Sequence, residues 1–142
     1  MAELIVRESS RSPQGVIDSL RAHAESFGFV IRNVYDMKET FEEYGVETAK
    51  DFVYYSVMVC NPPRAYSTIR ANPLRGAVLL QPKQLVVYRD PETGWTHVAY
   101  MQLDERTMRE ALPEDTQWQD KLPASCQKIA RLIDAALEKA AA

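Results

Sequence analysis

Apolar residues along this chain recur first at every second position, then at every third or fourth, and the two periods alternate several times. Leu4 and Val6 share one side of a short alternating segment and predict a strand over 3–8. Ser12 followed by Pro13 is the favoured opening of a helix. Val16, Ile17, Leu20, Ala24 and Phe27 then recur at helical spacing, and Gly28 stands where a C-terminal stop belongs. Residues 29–35 are rich in aromatic and β-branched side chains and predict a second strand. Asp36 with Glu39 forms a capping box, and Met37, Phe41 and Tyr44 carry a short helix that Gly45 ends.

Residues 52–60 predict the third strand. Asn61 caps the next helix, with Pro62 and Pro63 in its first turn and Ala65, Tyr66 and Ile69 facing inward. The segment 72–76 reads as a loop, and the apolar run 77–80 is too short to assign. Pro82 opens a hairpin: 84–89 up, a turn at 90–94, 95–101 down. Asp104 caps a short helix through Leu112, and Pro113 breaks it. A final helix runs from about 118 or 123 to 139, with Cys126, Ile129, Ile133 and Leu137 on one stripe and an alanine-rich fraying end at 139–142.

This order predicts a single α+β domain over 1–142: a two-layer sandwich of an about five-stranded mixed sheet with helices on one face. The third strand adds the sharper clue. Val53, Tyr55, Val57 and Val59 form one side and suit a packed helix layer. Phe52, Tyr54, Ser56, Met58 and Cys60 form the other, which stays apolar where a solvated face would turn polar. A second subunit or a ligand is expected to cover it, and a homodimer is the favoured occupant.

Composition narrows the function classes. The chain has 142 residues, 46% hydrophobic and 26% charged, as in ordinary globular domains. At this length folding buries roughly 68–70% of the surface of the unfolded chain, enough for a core without staples. The formal net charge is −3 and the basic residues form no run, so nucleic-acid binding is not expected. No segment approaches the roughly 18 apolar residues of a spanning helix, and the N-terminus lacks a secretory pattern, so no membrane partner is expected. The two cysteines, Cys60 and Cys126, are far apart in sequence and read as free thiols of a cytoplasmic protein.

The order of motifs resembles the domain-of-unknown-function family 302 over residues 12–102. The resemblance rests on the opening helix from Pro13 to Phe27, Gly28-Phe29 and the helix from Met37 to Tyr44. It rests further on the strand ending in Cys60-Asn61-Pro62, on Asn72-Pro73 with Gly76, and on Leu85-Val86-Val87-Tyr88. It implies a small α+β domain, typically dimeric, with no assigned substrate. In many relatives a proline-cysteine or proline-leucine pair precedes the hairpin strand; here the stretch is Pro82-Lys83-Gln84, without a second thiol at that point.

Candidate chemistry centres on Cys60. The thiolate is the reactive form of cysteine, and a position beside a helix N-terminus favours it. Arg64 adds positive charge nearby, and His97, on a predicted strand, is the candidate base. Asn61, Arg64, Tyr54 and Met58 are the candidate ligand-binding residues around it. Packing accounts for each of them too: a small buried thiol, a helix cap, a solvated arginine, strand aromatics. Glycines are isolated, and no Cys-x-x-Cys or His-x-x-x-His pair occurs, so neither a phosphate loop, a metal site nor a cofactor is expected. The leading expectation is a homodimeric module that binds a small molecule or a protein. The alternative is a thiol-dependent sulfur-handling or redox protein using Cys60. Single-stranded nucleic acid on the aromatic face would need a basic groove that the chain does not supply.

Overall fold

Local signals place most of the elements. The computed structural model describes residues 2–119 and 121–137. Strand β1 (Glu3–Ser9) leads to α1 (Pro13–Ala24), whose Ser12 hydroxyl accepts from the Gly15 amide at 3.1 Å. A 3₁₀ turn, Glu25–Phe27, ends at Gly28, where a φ of 79° demands a residue without a Cβ. Strand β2 (Val30–Asp36) runs into α2 (Met37–Glu43), capped by Asp36 as its spacing to Glu39 predicts. Strand β3 (Tyr54–Cys60) is followed by α3 (Pro62–Ala71). The hairpin of β4 (Gln84–Arg89) and β5 (Thr96–Gln102) precedes α5 (Glu105–Ala111), capped by Asp104, and α6 (Lys121–Leu137).

One helix lies where the sequence predicts a loop and an unassigned run. Residues Arg75–Lys83 form α4, with Gly76 inside it and Pro82 in its last turn. Both residues weaken helix propensity, so the local pattern hides it. Tertiary contacts hold the helix instead: Leu79 is buried, and Arg75 is anchored to Asp115. Pro82 therefore ends a helix as well as preceding the hairpin. The last helix begins at Lys121, later than Trp118, which sits in the turn before it; Pro123 falls in the first turn, where no intrahelical amide bond is lost. The expected extension to 139 and the alanine-rich end lie outside the described residues.

The result is α+β. The sheet has five strands in the order β1-β5-β4-β3-β2. Its mixing lies in the strand order, since every pairing is antiparallel. Helices α1 and α6 cover one face. Val16, Ile17 and Leu20 of α1 and Ile129, Leu132 and Ile133 of α6 pack on Val57, Val59, Leu85, Val87 and Val98. A second cluster of Leu79, Leu103, Met108, Trp118, Leu122 and Cys126 joins α4, α5 and α6. The opposite face is open apart from one corner, where Phe41 of α2 stacks on Phe52.

Candidate functional site

Strand parity puts two groups of candidate residues on the open face, at opposite ends of it. At one end, Glu8 faces His97, His97 faces Tyr88 and Tyr88 faces Tyr54 across four strands. The rings of Tyr54 and Tyr88 stack at 5.3 Å, and His97 meets Tyr88 edge-on at 5.3 Å. Phe52 and Phe41 continue the row at 6.1 and 6.0 Å. The Tyr88 hydroxyl lies 3.2 Å from His97 Nδ1. His97 Nε2 is buried, with the Glu8 and Asp90 carboxylates 3.5 and 3.7 Å away. Burial raises the Tyr54 phenol pKa, helped by Tyr88, and the charged groups at this end of the row are the Glu8 and Asp90 carboxylates. That charge opposes a nucleic-acid phosphate.

At the other end is Cys60, half-buried at the tip of β3. It lines an open crevice of about 590 Å³ with Met58, Val30, Arg32, Asn33 and Pro62. A β-bulge between Arg32 and Tyr35 shapes this crevice: Asn33 adopts a φ of 50°, and its Nδ2 donates to Met58 Sδ at 3.7 Å. Asparagine tolerates this left-handed conformation better than most residues, and bulges commonly re-aim side chains at sheet edges. The crevice thus gathers a thiol, a thioether, a guanidinium and an amide.

The structure separates residues that the sequence grouped. Tyr54 and Cys60 are six residues apart on one strand, roughly 20 Å at strand rise, and His97 lies two strands beyond Tyr54. His97 is therefore not positioned as a base for Cys60. Asn61 spends its side chain on the helix cap, where Oδ1 accepts from the Arg64 amide at 3.2 Å. Arg64 lines a different cavity, and Met58 is the candidate that stays with Cys60.

That second cavity, about 410 Å³, lies between α3, α4 and the start of α6. Lys83 lines it and is only 6% exposed. Its ammonium rests 4.9 Å from the centroid of the Phe29 ring. Burial lowers the Lys83 pKa; the Cys60 and Cys126 thiols oppose that shift, and Arg64 adds to it. Burial raises the pKa of Cys126, which is fully enclosed. Beside the cavity, Arg75 holds Asp115 through two bonds of 2.6 Å, and its guanidinium lies 5.6 Å from the centroid of the Trp118 ring. Asn72 gives Asp115 a third bond. These bonds hold the Asp115 carboxyl below its usual range, Arg75 contributing most.

Sequence reasoning missed Arg32, Asn33 and Val30 in the crevice because they sit on a neighbouring strand whose bulge has no local signature. It also passed over Lys83 as a site residue. The available signal was a lysine directly before an apolar strand, where a core residue is expected. Among the described residues, no three His, Cys, Asp or Glu side chains gather as a metal would require. No helix among them is long and apolar enough to cross a membrane.

Comparisons agree on the family. The profile of Domain of unknown function DUF302 matches residues 5–140, so the chain belongs to that family. Among solved structures, the chain is similar to the uncharacterized conserved protein DUF302 from Bacillus stearothermophilus. The two share 20% identity and a TM-score of 0.67, with 94% of each chain covered, which establishes a common fold. No curated protein matches the chain.

Proposed function

We propose that this DUF302 member is a cytosolic homodimeric binding module rather than a conventional enzyme. One observation carries the reading. Leu4 and Val6 on β1, Val30 and Tyr35 on β2 and Met101 on β5 remain 40–63% exposed on the open sheet face. A solvated antiparallel face would alternate to polar residues at these positions, and an apolar patch of this kind marks a contact surface. A second copy is the simplest partner, because a two-fold axis pairs the patch with itself. The crevice at Cys60, between Arg32 and Met58, is then the place where a small molecule or peptide binds at the margin of that interface.

Sedimentation equilibrium at tens of micromolar tests the assembly. The wild type is expected to be dimeric, and Met101→Lys to be monomeric with an unchanged circular dichroism spectrum. A monomeric wild type overturns the dimer.

Thiol-dependent sulfur handling or redox chemistry is the second reading. It is favoured by the half-buried Cys60 in a crevice that Arg32 also lines. Its test is the intact mass of protein purified without reductant. Extra sulfur or a thiol adduct that Cys60→Ser abolishes supports it. An unmodified mass leaves Cys60 as a wall of a non-covalent site.

A further inference from the structure

The Lys83 cavity holds a buried cation for which no described residue supplies the counter-charge. Lysine is almost never buried without a partner, because an unpaired ammonium loses its hydration for nothing. No hydrogen bond or ion pair joins Lys83 to a described residue; the Phe29 ring and the nearby thiols are neutral and supply no counter-charge. Two further cations, Arg64 and Lys121, stand exposed on the rim of the same cavity. No carboxylate lines it among the described residues. Beside Lys83, the buried lining is apolar, made by Leu79, Trp118 and Leu122, all less than a tenth exposed, and Ser67, Thr68 and Ser125 add hydroxyls to the rest of it.

Three cations around an apolar wall suit one class of ligand. We propose that this cavity binds a small organic anion, with its carboxylate or phosphate held by Lys83, Arg64 and Lys121 and its apolar body against Leu79, Trp118 and Leu122. The anion supplies the counter-charge that Lys83 lacks, in a site where low polarity strengthens the attraction. Lys83 gives depth and selectivity, since its buried position admits the anionic group only with loss of water. Arg64 and Lys121 draw the anion in from solvent. The cavity shares no lining residue with the Cys60 crevice, so this site stands independently of the function proposed for the open face.

Trp118 makes the test direct because it forms part of the wall. A Trp95→Phe background removes the other indole, which is exposed at the hairpin turn. Benzoate and phenyl phosphate serve as the two anionic probes, and benzamide as the neutral match. Saturable change in Trp118 fluorescence is expected with at least one anion, and which anion is tighter tells carboxylate from phosphate. Lys83→Met is expected to weaken that binding about tenfold or more. Benzamide is expected to give no saturable change. The proposal fails if neither anion saturates up to about 10 mM, a Kd limit that leaves only a few kcal/mol of binding. It fails equally if benzamide matches the anions, or if Lys83→Met, folded by circular dichroism, binds as tightly as its parent. Arg64→Gln, at an exposed position, gives a second folded variant, expected to weaken binding about threefold and to flatten its salt dependence.

Discussion

Lys83 holds its ammonium 4.9 Å from the centroid of the Phe29 ring, inside the fold and beside two thiols. The burial of this ammonium gives the domain one of its pH dependences. Burial lowers the folded pKa of Lys83 below its unfolded value of about 10.4. The folded state therefore resists protonation, and stability is lost as pH falls from the unfolded pKa through the folded one. Lys83→Met keeps the stem and removes the charge. It is expected to stabilise the protein at pH 7 by roughly 1–3 kcal/mol, the scale of an uncompensated buried polar group. Urea unfolding at pH 7 and near pH 10 checks both claims, because the gap between variant and wild type is expected to narrow at the higher pH.

The Arg75–Asp115 pair is expected to show the opposite dependence. Asp115 has its pKa held down in the fold, chiefly by Arg75, so its contribution is present above the unfolded pKa and lost as pH falls through the folded one. Both side chains are about 90% enclosed, at 10% and 9% exposure. Asp115→Asn strands the Arg75 charge, and breaking such a pair typically costs about 3–5 kcal/mol. Chemical denaturation at pH 7 reads the loss. An acid titration of the wild type is expected to fall more steeply below about pH 4 than that of the variant.

Gly28 adopts a φ of 79° between the 3₁₀ turn and β2. A side chain there forces a left-handed conformation that costs about 1–2 kcal/mol per residue. Gly28→Ala is expected to lower the thermal midpoint by several degrees, with the fold retained by circular dichroism.

The two thiols are expected to react unequally. Cys60 is half-buried on a crevice wall, whereas Cys126 is enclosed among Leu79, Met108 and Leu122. Iodoacetamide on the native protein is expected to add one group, mapped by peptide mass to Cys60. Cys126 is expected to react only after denaturation.

Much of this arrangement was legible in the sequence because it is written in local periods. The alternation from Phe52 to Cys60 separated the packed valines from the open face before any contact was known, and Ser12, Asp36, Asn61 and Asp104 marked helix starts that the structure keeps. The features that stayed hidden depend on distant pairing. Helix α4 contains Gly76 and Pro82 and is held by an ion pair to a residue 40 positions away. The Asn33 bulge exists only relative to β3. The distance between Cys60 and His97 follows from hairpin register, which no single strand reveals. The Lys83 cavity needs three helices to close around it.

The central claim is that the open sheet face meets a second copy of the chain, and isotope-filtered NMR on a mixed labelled and unlabelled sample tests it most directly. Intermolecular NOEs among the methyl groups of Leu4, Val6 and Met101 are the predicted result. Their absence, or intermolecular NOEs confined to the outer surfaces of α1 and α6, would contradict the account.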